Sequence, residues 1–247
     1  MTNKGPIAIL SALAEEQQGL VDQLQRPRCI QHAGRGFWLG ELHGQPVVLA
    51  LARIGKVAAA TTAAALISHF QVGAIVFTGV AGGVGAAVQV GDVVVASGFV
   101  QHDMDASPLF PRYEVPLTGQ SVFATDLEWT SRLQTACEKS LSGLSRDGRQ
   151  PVVHKGLIAT GDRFVNGAQE VAEMMRQMSA HGHAALAVEM EGAAVAQVCS
   201  DYGVPFAAVR TISDRADDSA HIDFPVFVRD VASVYARNIV TVFLQSL

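Results

Sequence analysis

Seven aliphatic runs bounded by turn-forming residues constrain this chain most: Ile7-Leu10, Val47-Leu51, Ala74-Thr78, Asp92-Ala96, Leu157-Thr160, Ala185-Val188 and Phe206-Thr211. Continuous apolar residues, rather than alternating ones, are what a parallel strand covered on both faces requires. Helical patterns fall between the runs, at Lys56–Phe70, Leu127–Leu141, Glu191–Tyr202 and Pro225–Leu247. The alternation predicts one α/β domain over residues 1–247, with a mostly parallel or mixed twisted central sheet flanked by helices. Gln101–Thr125 carries Pro108, Pro111 and Pro116 with weak periodicity, and is expected to form a long loop or lid.

Composition removes several classes of function. The positive mean hydropathy raises the question of a membrane span, but the most apolar stretch, Val72–Val88, is broken by Gly79, Gly82, Gly83 and Gly85. A formal charge of -5, spread without a run of either sign, leaves no basic stripe for a phosphate backbone, so nucleic acid is not an expected partner. Cys29, Cys137 and Cys199 make no CxxC pair, and Met1–Pro6 has no signal-peptide character; both point to the cytoplasm.

In open α/β sheets ligands collect beyond the carboxyl ends of the strands. Five runs are followed there by polar or glycine-rich residues: Ser11–Glu16, Gly79–Gly83, Gly161–Asn166, Glu189–Gly192 and Ile212–Asp214. Singly, Glu15 and Glu16 read as helix-dipole partners, Glu189 and Glu191 as first-turn acids, Ser213 and Asp214 as a turn, and Phe164 and Phe224 as core. Together they describe a shared acidic pocket with aromatic walls and little cationic compensation, suited to a neutral, hydroxylated, planar ligand such as a nucleoside. The segment Gly79-Val80-Ala81-Gly82-Gly83-Val84-Gly85 lacks the spacing of a dinucleotide loop, and a new strand begins at Asp92. No lysine follows in the Walker pattern. His102, His154, His181, His183 and His221 show no metal-binding spacing, so neither a metal nor a cofactor is expected.

The ordered set Ala12-Leu13-Ala14-Glu15-Glu16, Ile54-Gly55-Lys56-Val57, Thr78–Gly83, Gly161-Asp162-Arg163-Phe164, Val188-Glu189-Met190-Glu191 and Ile212-Ser213-Asp214 resembles the nucleoside phosphorylase and hydrolase superfamily. The likeness is greatest to its 5′-methylthioadenosine/S-adenosylhomocysteine nucleosidases, and it extends from about Ile7 to the C-terminal helix. The resemblance implies that Glu16 activates the attacking water, that Asp214 protonates N7 of the leaving adenine, and that Glu191 and Met190 meet the ribose. It further implies that Phe164 stacks on the base, that the Val165 backbone contacts its edge, that Gly82 lines the pocket and that Phe224 lies near adenine. Leu13, Val80, Glu189 and Ser213 complete the substrate-binding set within the same motifs. Ile54 belongs to the 5′-substituent pocket, to which Ala106 and Leu109 of a partner subunit would contribute, implying a homodimer joined through the 101–125 loop.

The residue types suit that chemistry. Breaking an N-glycosidic bond places positive charge on the ribose and negative charge on the purine, so one carboxyl must give a proton while another takes one from water. Asp214 is then expected to hold its proton near neutral pH, and Glu16 to stay ionised beside water. Glu191 can accept two ribose hydroxyls and stabilise the developing cation. A 5′-deoxyadenosine or futalosine-type nucleosidase, a phosphorolytic member of the superfamily and a non-catalytic nucleoside sensor stand as alternatives. Arg53, beside Ile54-Gly55-Lys56, is the residue that keeps phosphate affinity open.

Overall fold

The structure, a computed structural model, describes residues 5–145, 148–216 and 224–247. Its first half runs β1 (Ile7–Ser11), α1 (Ala14–Val21), β2 (Gln25–His32), β3 (Arg35–Leu42), β4 (Gln45–Leu51), α2 (Lys56–Ser68), β5 (Ala74–Gly83) and β6 (Val93–Gln101). Then follow β7 (Val122–Ala124), α3 (Leu127–Leu141), β8 (Val153–Thr160), α4 (Ala168–Ala180), β9 (Ala185–Glu189), α5 (Gly192–Tyr202) and β10 (Phe206–Asp214). A short helix α6 (Phe224–Phe227) passes through a π-helical turn (Val228–Ala232) into α7 (Ser233–Gln245).

The seven predicted strands and four predicted helices are all present, and the sheet is mixed. One face is covered by α2 and α5, whose Ala59, Ala63, Leu66, Ala193 and Val195 pack on Leu10, Val48, Ile75 and Phe77. The other face meets α1, α3 and α7 through Leu20, Leu133, Ile239 and Phe243, against Ile9, Leu49, Val76 and Val209. Successive strand residues supply opposite cores, which is why the runs are apolar throughout.

Two features depart from the expectation. Gly79–Gly83 is strand, not loop: β5 continues to Gly83 because β10 lies parallel to it as far as the Asp214–Gly82 pair. Within the 101–125 stretch, Gln101 ends β6, Val115 and Gln120 form an isolated antiparallel bridge, and Val122–Ala124 forms β7 against β6; turns and loop make up the remainder.

The extension of β5 shapes the site. From Ala74 to Thr78 its neighbour is β1, and at Gly82–Gly83 its neighbour is β9. With β10 along its other edge, β5 closes a five-stranded ring in the order β5-β10-β6-β8-β9. Gly79–Ala81 lies at the fork where β1 has ended and β9 has not begun, and such points are where α/β sheets open a crevice.

Candidate active site

A cavity with about 720 Å³ of empty space, part of it open to solvent, lies at this fork. Its walls include Leu13 after β1, Ile54 before α2, Val80 and Gly82 of β5, Phe164 and Val165 after β8, and Glu189, Met190 and Glu191 at the β9–α5 junction. Ser213, Asp214 and Phe224 complete it. The edge of Phe164 meets Phe224 at a centroid distance of 6.3 Å and 84°, so the two aromatics do share one pocket.

Glu16 lies behind this wall rather than on it. Its carboxyl turns back to the start of α1, where Oε2 accepts the Ala12 and Leu13 amides at 3.0 and 2.9 Å. Oε1 is buried without a hydrogen-bond partner, next to Gly79, where a Cβ would stand 3.3 Å from it. Burial pushes the Glu16 carboxyl up to about 7, against the opposing pull of the Leu13 amide and the Arg210 charge. A carboxyl so placed stands near the midpoint between its two forms at neutral pH.

Asp214 ends β10. Its Oδ2 accepts the Ser213 hydroxyl at 2.6 Å and its Oδ1 the Ala216 amide at 2.7 Å. Gly82 keeps the space beside it open, since a Cβ there would lie 2.9 Å from Asp214 Oδ1. Glu16 and Asp214 thus address β5 three residues apart, about 10 Å of strand.

Glu191 stands at the N-cap position of α5, where its side chain makes no cap bond and its Oε1 instead accepts the Gly55 amide at 3.0 Å. Burial and then the neighbouring Glu189 charge raise its pKa. Glu189 itself is committed to the protein. Its oxygens accept the Thr160 hydroxyl, the Glu191 and Gly192 amides and, at 2.8 Å, Nη2 of Arg210.

Arg210 is what the sequence reading missed. It is 1% exposed, stacks with its Cζ 4.0 Å from the Phe77 ring centroid, and supplies the compensation that the acidic cluster was expected to lack. A charged residue inside the apolar run Phe206–Thr211 was the available signal, because a buried guanidinium requires a carboxylate partner. Arg163 also lines the cavity, paired with Glu170 at 3.1 Å. Arg53 is exposed, and its guanidinium donates to the Gly34 carbonyl. Ala106 and Leu109 do not reach this chain's own cavity, and Leu109 is 85% exposed. Among the described residues no group of three or more His, Cys, Asp or Glu could hold a metal ion; His221 lies outside them.

A family model described as the phosphorylase superfamily matches residues 6–245. The chain belongs to this superfamily. A 5′-methylthioadenosine/S-adenosylhomocysteine nucleosidase of Chromohalobacter salexigens is 36% identical over 227 residues, 92% of each chain. The crystal structure of such a nucleosidase from Neisseria meningitidis, in complex with methylthio-immucillin-A, superposes with a TM-score of 0.89 at 32% identity, covering 98% of this chain and 100% of that one. Futalosine hydrolase of Helicobacter pylori gives 0.86 at 29% identity, with 98% of each chain covered. Within this superfamily fold, the fork of β5 is the crevice in which the motif residues meet.

Proposed function

We propose that this protein hydrolyses the N-glycosidic bond of 5′-methylthioadenosine and S-adenosylhomocysteine, releasing adenine with 5-methylthioribose or S-ribosylhomocysteine. The observation that carries the reading is the meeting of Asp214, Glu191, Phe164 and Phe224 on one aromatic-walled cavity, with the buried Glu16 carboxyl behind its wall. The similarity to nucleosidases along the whole chain supports the same substrates.

In this reading the nucleoside base stacks on Phe164 with Phe224 close by and its edge on the Val165 backbone, and Asp214 delivers a proton to N7. Glu16 takes a proton from water, so bond cleavage leaves neutral adenine and a hydroxylated ribose carbon. Glu191 holds the ribose hydroxyls and its charge offsets that of the oxocarbenium-like transition state. Leu13, Ile54 and Met190 give the 5′ end an apolar seat. The reaction falls in methionine salvage. The free cysteines agree with a cytoplasmic setting, and exposed Val57, Leu109 and Leu117 favour a homodimer in which the 101–125 loop completes the partner's pocket.

Likeness to a futalosine hydrolase favours that nucleoside as the second reading. Phosphorolysis is disfavoured because Arg53 is tied to Gly34, Arg163 to Glu170 and Arg210 to Glu189. The test is adenine release from 5′-methylthioadenosine with and without phosphate, beside futalosine. Equal release in both buffers supports hydrolysis, dependence on phosphate overturns it, and turnover of futalosine alone replaces the substrate.

A further inference from the structure

Two strand ends and the start of a helix near the cavity are joined by a closed circuit that the chemistry above does not use. The Lys56 amide donates to Asp162 Oδ1 at 2.7 Å, the Asp162 amide donates to Asp103 Oδ2 at 2.9 Å, and Lys56 Nζ donates to Asp103 Oδ1 at 2.7 Å. Nζ also reaches Gln101 Oε1 at 3.1 Å. Lys56 begins α2, Asp103 follows β6, and Asp162 follows β8.

Gly55 stands immediately before this circuit. Its backbone, at φ +95° and ψ 156°, is a conformation open essentially to glycine alone, and a Cβ there would meet Asp162 Oδ1 at 3.1 Å. In that conformation its amide points at Glu191 Oε1. We infer that Lys56, Asp103 and Asp162 are positioning residues: they lock the Gly55 peptide so that its N–H orients the carboxylate which receives the ribose hydroxyls. The inference rests on the assignment of Glu191 to the ribose.

An exposed lysine–aspartate pair by itself contributes little. Here the Lys56 and Asp103 side chains are 17% and 32% exposed, and each aspartate also holds a backbone amide, so the circuit fixes main chain. Burial works against the charged form of Asp103, but the Lys56 ammonium and Asp162 amide prevail and keep its carboxyl below the usual range. Half-buried His102 also faces Asp103, while Glu189, Arg210 and Glu16 face Glu191. Of the groups acting on Glu191, only the Gly55 amide is governed by the circuit.

The experiment compares Lys56→Met, Asp103→Asn and the double variant with wild type, by kcat/KM for 5′-methylthioadenosine against pH and by hydrogen exchange at the Gly55 amide. Each single variant is expected to lose about tenfold in kcat/KM. Each should also shift the limb that Glu191→Gln abolishes upward by about half a pH unit, since a lost amide disfavours the ionised form. Exchange at Gly55 should accelerate, and the double variant should be no worse than the poorer single one. An unmoved limb with unchanged Gly55 exchange, or losses that add in the double variant, overturns the inference. Should Lys56→Met not fold, the isosteric Asp103→Asn carries both measurements. Full activity of Glu191→Gln would instead remove the ribose assignment, leaving Gly55 exchange to judge the clamp alone.

Discussion

Nη2 of Arg210 donates to Glu189 Oε2 at 2.8 Å, with the two side chains 1% and 3% exposed. The pair joins β10 to β9 across the strand ring and sets a fixed positive charge among buried carboxyl groups. Breaking such a pair leaves an uncompensated charge, whereas removing both partners is far milder. Arg210→Met is therefore expected to lower unfolding stability by about 3–5 kcal/mol. Arg210→Met with Glu189→Gln should recover part of that loss. Urea unfolding at pH 7 measures both, and equal stability of the two variants would contradict the pairing.

The buried Glu16 carboxyl couples stability to pH. Burial pushes its pKa up to about 7 in the native protein from the 4.5 of an ordinary glutamate, so between those limits the native state holds more protons than the unfolded chain. Stability from this group is complete at low pH and declines as pH rises from 4.5 to 7. Glu16→Gln should flatten that decline and be the more stable form at pH 8, by on the order of 3 kcal/mol. Denaturant midpoints measured from pH 5 to 8 provide the check.

The same residue should govern rate with the opposite sign. A base acts only when ionised, so kcat/KM should rise with pH through a limb near 7. Glu16→Gln and Asp214→Asn should each reduce adenine release ~10²–10⁴-fold. Wild-type rates in either variant would reassign the role concerned.

Two glycines separate catalysis from folding. A Cβ on Gly82 would press on Asp214 Oδ1 at 2.9 Å, whereas one on Gly192 would lie 2.1 Å from Cε1 of Phe99. Gly82→Ala is expected to cost about tenfold or more in kcat/KM, with a fall in melting temperature smaller than that of Gly192→Ala, since its Cβ would also meet the buried Ala216 Cβ at 3.0 Å. Gly192→Ala must displace a buried ring and should lower stability by about 1–3 kcal/mol. Paired kinetics and thermal melts distinguish the two.

The parallel strands were legible because both faces of each are covered over the run, so that its residues are mostly apolar, buried Arg210 being the charged exception. Gln25–His32 was not legible: Gln25, Arg26, Pro27, Arg28 and Gln31 are exposed, and only its pairing with β3 makes it a strand. Ala168–Ala180 was missed for a related reason, since Met178 is its buried residue and the rest of the helix is partly or fully in solvent. Within the site, twelve of the fifteen expected residues line the cavity, and all of these but Phe224 lie within or just beyond the carboxyl end of a strand. Glu16 was expected there for the same reason, but its capping of α1 turns the side chain behind the wall. No local pattern could show that Gly79–Gly83 stays extended, because that depends on β10, more than a hundred residues further along.

A strand with three neighbours has a mechanical consequence. Slipping β5 by one residue would break its ladders with β1, β9 and β10 together, so the floor carrying Val80 and Gly82 is held in register by three separate pairings. Changes of substrate preference are then easiest at the rim, in Ile54 and Phe164, where a new side chain can be accommodated without disturbing any of those ladders.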